Sequence, residues 1–434
     1  SFQRFTKTWL QKPVIPICSL DMQTKCRISG SELEEVINLG SLYISGFSPS
    51  ILADTPRAPL RIGISKTSGL LQLMDSVDRP ALYEHYWYRS GTNETMRNQL
   101  ADILRTATQW ARLDDGDVVL DIGCNDGTLL ALYGEMRSLF RIGIDPAQNL
   151  AEEAIPHCER HAADFFSREL YDELSGGKRA KIITTIAMFY GLEDPLKFVA
   201  DLRECLDDDG IWILQLSYTP LMLKQNAFDN ICHEHVEYYT LRSLSYLLRQ
   251  FDLRIVDVEF NDTNSGSFRL VITHNSNPLR EAPLFVRDIG SFRVESTIEY
   301  EERHSFDDPS VYIDYMKRLE SLRRQTCDLL GDIKSSGRLV CGYGASTKGN
   351  TLLQFYGITP ETLPCIAERQ SQKLGLLTAG SWIPIVGEEE VRAMKPDYLF
   401  ILPWHFLDEF RRRESAFLSR GGRFIVPLPE LEII

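Results

Sequence analysis

The sequence of 434 residues has no apolar run near the roughly 18 to 20 residues that a membrane-spanning helix requires. Its N-terminal stretch does not show the basic-then-apolar order of a secretory signal. Positive charge is also scarce, since 47 Lys and Arg stand against 61 Asp and Glu, for a net charge of -14. Binding to a phosphate backbone generally needs a positive face. We therefore expect a cytoplasmic protein that binds neither a membrane nor nucleic acid.

Paired cysteines are also missing. The nine cysteines are odd in number and stand singly, and no two of them form a C-x-x-C pair. A disulfide scaffold would show an even number at paired spacings. The pattern therefore indicates a reducing compartment.

The length predicts two or three domains. Residues 1–80 are short and irregular, with frequent Gly, Pro and Ser. Residues 81–275 alternate helical patterns with short apolar strands such as DVVLDIG, RIGIDP, KIITTIAMF and GIWILQLS. Residues 276–434 begin a second alternation with a long helical pattern near 310–335, followed by RLVCGYG, PCIAER, YLFILPW and RFIVPLP. Such alternation predicts α/β domains built on parallel sheets.

The strongest chemical signal lies in residues 118–130, VVLDIGCNDGTLL. An apolar strand runs into a turn with Gly123 and Gly127 and then into a helix, so the backbone can approach a ligand closely. The wording is typical of S-adenosylmethionine (SAM) enzymes, whereas a dinucleotide site expects G-x-G-x-x-G. Taken alone, the loop is also compatible with a structural turn.

Two further features strengthen the SAM interpretation. Asp145 ends the next strand about 20 residues beyond the loop, where a carboxylate can accept both ribose hydroxyls. Asp164 and Phe165 then follow, and they would bracket an adenine through its amino group and its ring face. The predicted cofactor contacts are thus Asp121, Gly123, Asn125, Gly127, Asp145, Asp164 and Phe165.

A second informative segment reads FDNICHEHVEYY over residues 228–239, with His233 and His235 on either side of Glu234. A metal chelate is one reading, but no third ligand of the usual zinc kind lies nearby. A pair of structural histidines is another. The third is acid–base chemistry, because a histidine titrates near neutral pH and a carboxylate orients it. Methylation of carbon needs such a base to remove the proton next to a ketone.

At these residues the chain resembles the three-domain nucleotide-sugar C-methyltransferases of deoxysugar biosynthesis. The resemblance covers nearly the whole length and rests on LDIGCNDGTLL, ICHEHVEYYTLRSL, NSGSFRL, CGYGASTKGNTLLQF, KPDYLFILPWHF and GGRFIVPLPE. It implies an N-terminal zinc-binding-like domain over 1–80. A central Rossmann-like SAM domain over 81–275 and a Rossmann-like nucleotide-sugar-binding domain over 276–434 would follow.

The resemblance also implies roles for particular residues. His235 would take the proton α to the 4-keto group, Glu234 and His233 would orient it or polarise the ketone, and Tyr86 or Tyr88 would approach the sulfonium of SAM. The substrate would be a dTDP- or GDP-linked keto sugar, methylated at C3 through an enolate, with S-adenosylhomocysteine as the other product. The implied substrate contacts are Asn226, Gly344, Ser346, Lys348, Asn350 and His405, with Lys348 as the partner of the diphosphate.

Several positions depart from the family pattern. Three of the four zinc-binding cysteines are replaced by Ser29, Ser65 and Ser68, and only Cys26 remains. A tyrosine commonly precedes the H-E-H segment, where this chain has Cys232. A histidine is common in the loop after the fourth strand, which here reads MFYGLED over 188–194. The last two changes suggest a different sugar or a different stereochemistry.

Two other functions remain open on the sequence alone. A sugar O- or N-methyltransferase would keep the SAM loop without needing the base. A degenerate SAM- or nucleotide-sugar-binding protein would account for the lost cysteines, although the SAM loop, Asp145 and the H-E-H segment all persist.

We predict that the purified protein contains no stoichiometric zinc and no other structural metal. Neutral hydroxyls are poor zinc ligands beside thiolates, and serines stand at three of the four ligand positions. Elemental analysis of the protein after dialysis tests this expectation, and about one zinc per chain would contradict it.

Overall fold

A computed structural model describes residues 22–44, 46–51, 55–77, 88–92, 94–263 and 266–434. Within these ranges the chain forms α/β units on mainly parallel sheets, and each strand and helix named above from its pattern is present. None of the described helices is both long enough and apolar enough to cross a bilayer.

The central unit is a sheet of seven strands in the order β11-β12-β9-β8-β5-β6-β7. Strands β9, β8, β5, β6 and β7 pair in parallel. Strand β12 pairs antiparallel with both β9 and β11 and forms one edge region of the sheet with β11. All five residues of β5 are buried, as expected for a strand with helices on both faces. The strands are β5 (Val118–Ile122), β6 (Phe140–Ile144), β7 (Arg160–Ala162), β8 (Ala180–Ile186), β9 (Leu206–Ser217), β11 (Leu253–Asn261) and β12 (Ser267–His274).

The C-terminal unit is a sheet of six strands in the order β16-β14-β13-β17-β18-β19, parallel except at β19. Its strands are β13 (Val340–Tyr343), β14 (Ile366–Glu368), β16 (Ile385–Gly387), β17 (Tyr398–Ile401), β18 (Arg423–Val426) and β19 (Glu432–Ile433). A small ribbon of β2 (Phe47–Ser48) and β15 (Leu377–Thr378) joins this unit to the N-terminal residues.

Helices cover both sheets. The helices, in chain order, are α1 (Glu94–Trp110), α2 (Thr128–Gly134), α3 (Ala151–Ala154), α4 (Arg168–Ser175), α5 (Pro195–Cys205), α6 (Thr219–Lys224), α7 (Leu241–Arg249), α8 (Leu284–Arg303), α9 (Pro309–Ser335), α10 (Thr347–Tyr356), α11 (Glu388–Met394), α12 (Leu407–Arg413) and α13 (Ser415–Ser419). The boundary predicted after residue 275 precedes α8, which packs on β11 of the central sheet.

The N-terminal unit shares a strand with the central unit. Its sheet has the order β1-β3-β4-β10, formed by β1 (Glu34–Tyr43), β3 (Arg57–Ile64), β4 (Leu71–Leu73) and β10 (Glu237–Tyr238). Strand β10 lies directly after the H-E-H segment in the sequence. The N-terminal sheet therefore includes a strand of the segment that carries the candidate base, His235.

Hydrogen-bonded hydroxyls occupy the positions at which the resemblance implied zinc ligands. The Ser65 Oγ lies 3.2 Å from Ser29 Oγ and 3.0 Å from Ser68 Oγ, and Ser68 Oγ lies 3.3 Å from Cys26 Sγ. Ser31 adds a contact of 2.8 Å to Ser65. Because each hydroxyl both donates and accepts, the serines bind one another where the thiolates would have bound a metal.

Arg27 connects this unit to the central one. Its guanidinium donates to the Leu73 carbonyl at 3.0 Å and to the carboxylate of Glu193 at 3.3 Å, and it pairs with Glu237 at 3.7 Å. The side chain of Arg27 is 5% exposed and that of Glu237 is 0% exposed, so both charges lie in the interior. Buried charges of this kind must be paired to be tolerated.

We predict that Arg27→Ala lowers the free energy of unfolding by about 3 kcal/mol, because it leaves the buried Glu237 carboxylate without its counter-ion. Urea denaturation followed by tryptophan fluorescence measures the change. Adding Glu237→Gln to this variant should recover part of the loss.

The matched control is Lys25→Ala, which removes an exposed pair with Glu32. An exposed pair contributes less than about 1 kcal/mol. Equal losses for the two single variants would contradict a special role for Arg27.

Candidate active site

The glycine-containing loop after β5 is shaped for close approach to a ligand. Gly123 has φ of +77°, and a Cβ there would lie 3.0 Å from the Met188 side chain. Gly127 also has φ of +77° and begins α2, where a Cβ would lie 3.0 Å from the Ala154 backbone. Neither position has room for a side chain, and both have a left-handed backbone, so glycine is required at each.

Asp145 fixes the far side of this loop. Its carboxylate accepts hydrogen bonds from the backbone N–H groups of Asn125 and Ala147, each at 2.8 Å. Burial raises the pKa of Asp145, and these two donors oppose the rise. The Asn125 amide donates in turn to the Tyr88 carbonyl at 3.0 Å. The loop, the acid after β6 and the segment around Tyr88 are thus locked together.

A cavity of about 370 Å³ lies along the carboxyl ends of the central strands. Every described residue predicted to contact the cofactor lines it except Gly127, which caps the next helix, and Tyr86 lies outside the described residues. The predicted residues in its wall are Tyr88, Asp121, Asn125, Gly123, Asp145, Asp164, Phe165, Glu234 and His235. The cofactor loop and part of the H-E-H segment therefore border one space.

Asp121 is a buried acid in the floor of this cavity. It is 3% exposed, and the Thr184 hydroxyl donates to it at 2.6 Å. Burial is the main reason that the pKa of Asp121 rises to about 7. A cationic group in the cavity would favour the ionised form. SAM is a sulfonium amino acid, and its amino group is such a cation. The buried Asp121 carboxylate therefore fits SAM.

His235 stands at the end of the cavity in a defined tautomer. Its Nδ1 lies 2.7 Å from the carbonyl oxygen of Asn230, which only accepts hydrogen bonds. Nδ1 must therefore carry the proton, and Nε2 keeps its lone pair. The ring packs on Tyr190, with centroids 4.2 Å apart. Burial, aided by the nearby Lys348 ammonium, lowers the pKa of His235 to about 3, so the imidazole is neutral at pH 7.

Glu234 borders the same cavity, and its pKa shifts in the direction opposite to that of His235. Burial raises the pKa of Glu234 to about 7, so the carboxyl holds a proton for part of the time at neutral pH. Tyr88 also reaches the cavity, and burial raises the pKa of its phenol to about 12. The cavity thus offers a neutral base and two oxygen acids that can donate hydrogen bonds.

His233 does not join this group, contrary to the expected role in orienting His235 or polarising a ketone. Its side chain is 3% exposed, and Nε2 donates to the Ala58 carbonyl on β3 at 3.2 Å. Residues 233 and 234 form a turn, in which the His235 N–H donates to the Cys232 carbonyl at 3.1 Å, and this turn directs His233 away from the cavity that Glu234 and His235 border. It attaches the H-E-H segment to the N-terminal sheet.

Lys348 also differs from expectation. Instead of facing an open anion site, its Nζ donates to the Asn230 side chain at 2.5 Å, close to the buried Asp229. Burial lowers the pKa of Lys348, and Asp229 opposes that effect. His405 lies in the same cluster, where burial followed by the charge of Lys348 lowers its pKa to about 3. This cluster of Lys348, Asp229, Asn230 and His405 connects the C-terminal unit to the segment that carries His235.

The other predicted substrate residues have structural contacts. Asn350 donates to the Gly46 carbonyl at 2.6 Å, and Asn226 donates to the Pro429 carbonyl at 3.0 Å, so both connect different units. Ser346 caps α10 by accepting from Gly349 at 3.0 Å. Gly344 has φ of +80°, and a Cβ there would lie 2.6 Å from Pro403. Only Ser346 and Gly344 remain at a strand–helix turn of the anion-binding type.

Sequence patterns gave no signal for other residues at the site. Tyr190, which packs on the candidate base, was read only as a departure from the family. Glu193 and Lys197 line the cavity, and Asn230 holds both His235 and Lys348. Their partners lie far away in the sequence, so spacing alone does not identify them. Within the described residues, no cluster of three or more His, Cys, Asp or Glu has the arrangement of a metal site.

Comparisons with known proteins agree with this site. Residues 92–258 match the methyltransferase domain family, and residues 262–429 match the C-methyltransferase C-terminal domain family. The C-methyltransferase NovU of Streptomyces niveus is 28% identical over 418 residues, which cover 94% of this chain and 96% of the relative.

Solved structures give partial likenesses. The N-methyltransferase NodS of Bradyrhizobium japonicum WM9 with S-adenosyl-L-homocysteine is 14% identical, with a TM-score of 0.33 over 43% of this chain and 89% of that chain. Magnesium protoporphyrin IX methyltransferase of Synechocystis PCC 6803 with bound SAM is 13% identical, with a TM-score of 0.30 over 42% and 78%. Scores this low carry no weight for the assignment.

The assignment rests on the two domain matches, the full-length relative and the residues that shape the cavity. The first match spans the SAM loop and the H-E-H segment, and the second spans the long helix and the C-terminal sheet as far as β18. The chain is a SAM-dependent methyltransferase, and its central and C-terminal parts match the methyltransferase domain family and the C-methyltransferase C-terminal domain family.

Proposed function

We propose that the protein transfers the methyl group of SAM to a carbon of a 4-keto-6-deoxy nucleotide-sugar, at C3 and through an enolate. The sugar would be linked to dTDP or GDP. Support comes from the amino-acid sequences of the H-E-H and CGYGASTKG segments and from the similarity to a C-methyltransferase. SAM supplies an electrophilic methyl group, and the chain must supply the carbon nucleophile.

The observation that carries this proposal is the state of His235. It lies in the wall of the cofactor cavity, is neutral at pH 7, and keeps the Nε2 lone pair because Nδ1 donates to Asn230. A carbon acid needs such a base before it can be methylated, whereas oxygen and nitrogen acceptors need less help. In this role Nε2 takes the α-proton, and the Asn230 carbonyl stabilises the resulting imidazolium.

Glu234 supplies the complementary part. A ketone becomes easier to deprotonate when its oxygen accepts a hydrogen bond, because that oxygen becomes negative in the enolate. Glu234 retains a proton for part of the time at neutral pH because burial raises its pKa to about 7. The protonated carboxyl is therefore proposed as the donor to the ketone oxygen, as the family resemblance implied.

We predict that His235→Asn lowers turnover by about 10² to 10⁴-fold with nearly unchanged SAM affinity. Asparagine keeps similar bulk but cannot accept a proton near neutral pH. Turnover is measured with a 4-keto-6-deoxy nucleotide-sugar, and the product is identified by its C–CH₃ signal in NMR spectra. With S-adenosylhomocysteine in place of SAM, wild type should exchange the α-hydrogen with deuterated water and the variant should not.

His274→Asn is the matched control, since His274 is also a buried histidine but does not border the cofactor cavity. It should retain the exchange. Exchange at the wild-type rate in His235→Asn would place the base elsewhere, with Glu234 next in line. Methyl transfer to oxygen or nitrogen would contradict C-methylation, and transfer to no acceptor would favour a binding protein.

We predict that kcat/KM for the nucleotide-sugar falls above about pH 7 as Glu234 loses its proton. Below its raised pKa the carboxyl is protonated and donates to the ketone, and above that pKa it is a carboxylate that repels the enolate. Glu234→Gln keeps a donor that does not titrate. The pH dependence measured for this variant should lack that fall, and an unchanged profile would show that another group is responsible.

A further inference from the structure

A second, smaller cavity borders His235. It has a volume of about 10 Å³, enough for one oxygen atom, and it lies where β9 passes into α6. His235 and Tyr190 border both this cavity and the larger one. The small cavity thus adjoins the cofactor cavity at the side chain that is proposed to act as the base.

Several polar groups around this cavity are buried without a partner, and three of them carry the argument. Ser217 Oγ, Thr219 Oγ1 and Asn230 Nδ2 have no hydrogen bond to any residue that the structure describes. Thr219 and Asn230 are only 2% and 1% exposed. Buried polar groups are almost always satisfied, so three in one place indicate a missing polar ligand.

The chemistry of this ligand follows from the groups that face it. Asn230 presents Nδ2, because its Oδ1 accepts from the Lys348 ammonium, which can only donate. Glu237 presents a carboxylate, which only accepts, and Arg27 balances its charge at 3.7 Å. The Ser217 and Thr219 hydroxyls do either. A site with an obligate donor and an obligate acceptor fits a neutral group that both accepts and donates.

We propose that this cavity binds one hydroxyl group of the acceptor sugar, next to the carbon that His235 deprotonates. A ketone or enolate oxygen fits less well, because it only accepts and would face the Glu237 carboxylate. A single water has the same hydrogen-bonding capacity as a hydroxyl. The proposal rests on the proposed function and adds a specificity site made of Ser217, Thr219 and Asn230.

The location also favours the acceptor over water alone. In open α/β sheets, ligands bind outside the carboxyl ends of the strands, and Ser217 is the last residue of β9. A site built to hydrogen-bond a substrate hydroxyl discriminates strongly against an analogue that lacks it, since its buried groups are then left unpaired. The small cavity would thus reject sugars that lack the matching hydroxyl.

The test uses calorimetry on the full chain saturated with S-adenosylhomocysteine. The ligands are a 4-keto-6-deoxy nucleotide-sugar and its analogues that lack the hydroxyl at C2 or at C3. Wild type should bind the parent sugar at least tenfold more tightly than one of these analogues. Thr219→Val and Ser217→Ala should each weaken binding of the parent about five- to tenfold and leave binding of that analogue unchanged.

Thr326→Val removes a buried threonine hydroxyl in α9, away from both cavities, and should change neither affinity. Equal effects of Thr219→Val and Ser217→Ala on parent and analogues, or no effect, would mean that the cavity holds only water and would overturn the inference. If the wild type also methylates the parent at carbon, the proposed function survives that result. No binding of the parent by wild type would overturn both.

Discussion

The pairing of β10 with β4 is the constraint on which the candidate site depends. Leu73 donates to the Val236 carbonyl at 2.8 Å, directly beside the H-E-H segment, and Glu237 and Tyr238 then join the N-terminal sheet. His233 adds a bond to Ala58 on β3. The segment is therefore held at both sides of Glu234 and His235, which border the cavity. A base held by backbone ladders keeps its position without help from a ligand.

This constraint explains how the N-terminal unit persists with three of the four metal-binding positions changed. Hydroxyls of Ser29, Ser65 and Ser68 hydrogen-bond with one another, and Arg27 forms a second link through Glu193 and Glu237. The same unit is needed for the sheet that includes β10. Losing it would expose the H-E-H segment, so the candidate site depends on this unit.

The sequence predicted those parts that are contiguous in the chain. The loop with Gly123 and Gly127 and the acid Asp145 could be assigned because strand, turn and helix follow one another. The contacts of His233 and Lys348 could not be predicted because their partners, Ala58 and Asn230, lie 175 and 118 residues away. A spacing such as H-x-H would place two side chains on one face of a strand, but residues 233 and 234 form a turn here, so the spacing does not say which histidine borders the cavity. Tertiary packing decides that.

Enclosure acts on His235 and Glu234 in opposite directions, and that difference gives the pair its chemical character. Removal of water disfavours the charged form of each group, so the pKa of the imidazole falls and that of the carboxyl rises. On an exposed surface the carboxyl would be ionised at neutral pH, and a fraction of the imidazole would already hold a proton. Deprotonation of a carbon next to a ketone requires the reverse, a free lone pair and a proton donor for the oxygen. Burial alone moves this pair toward that state, and the Lys348 charge moves His235 further in the same direction.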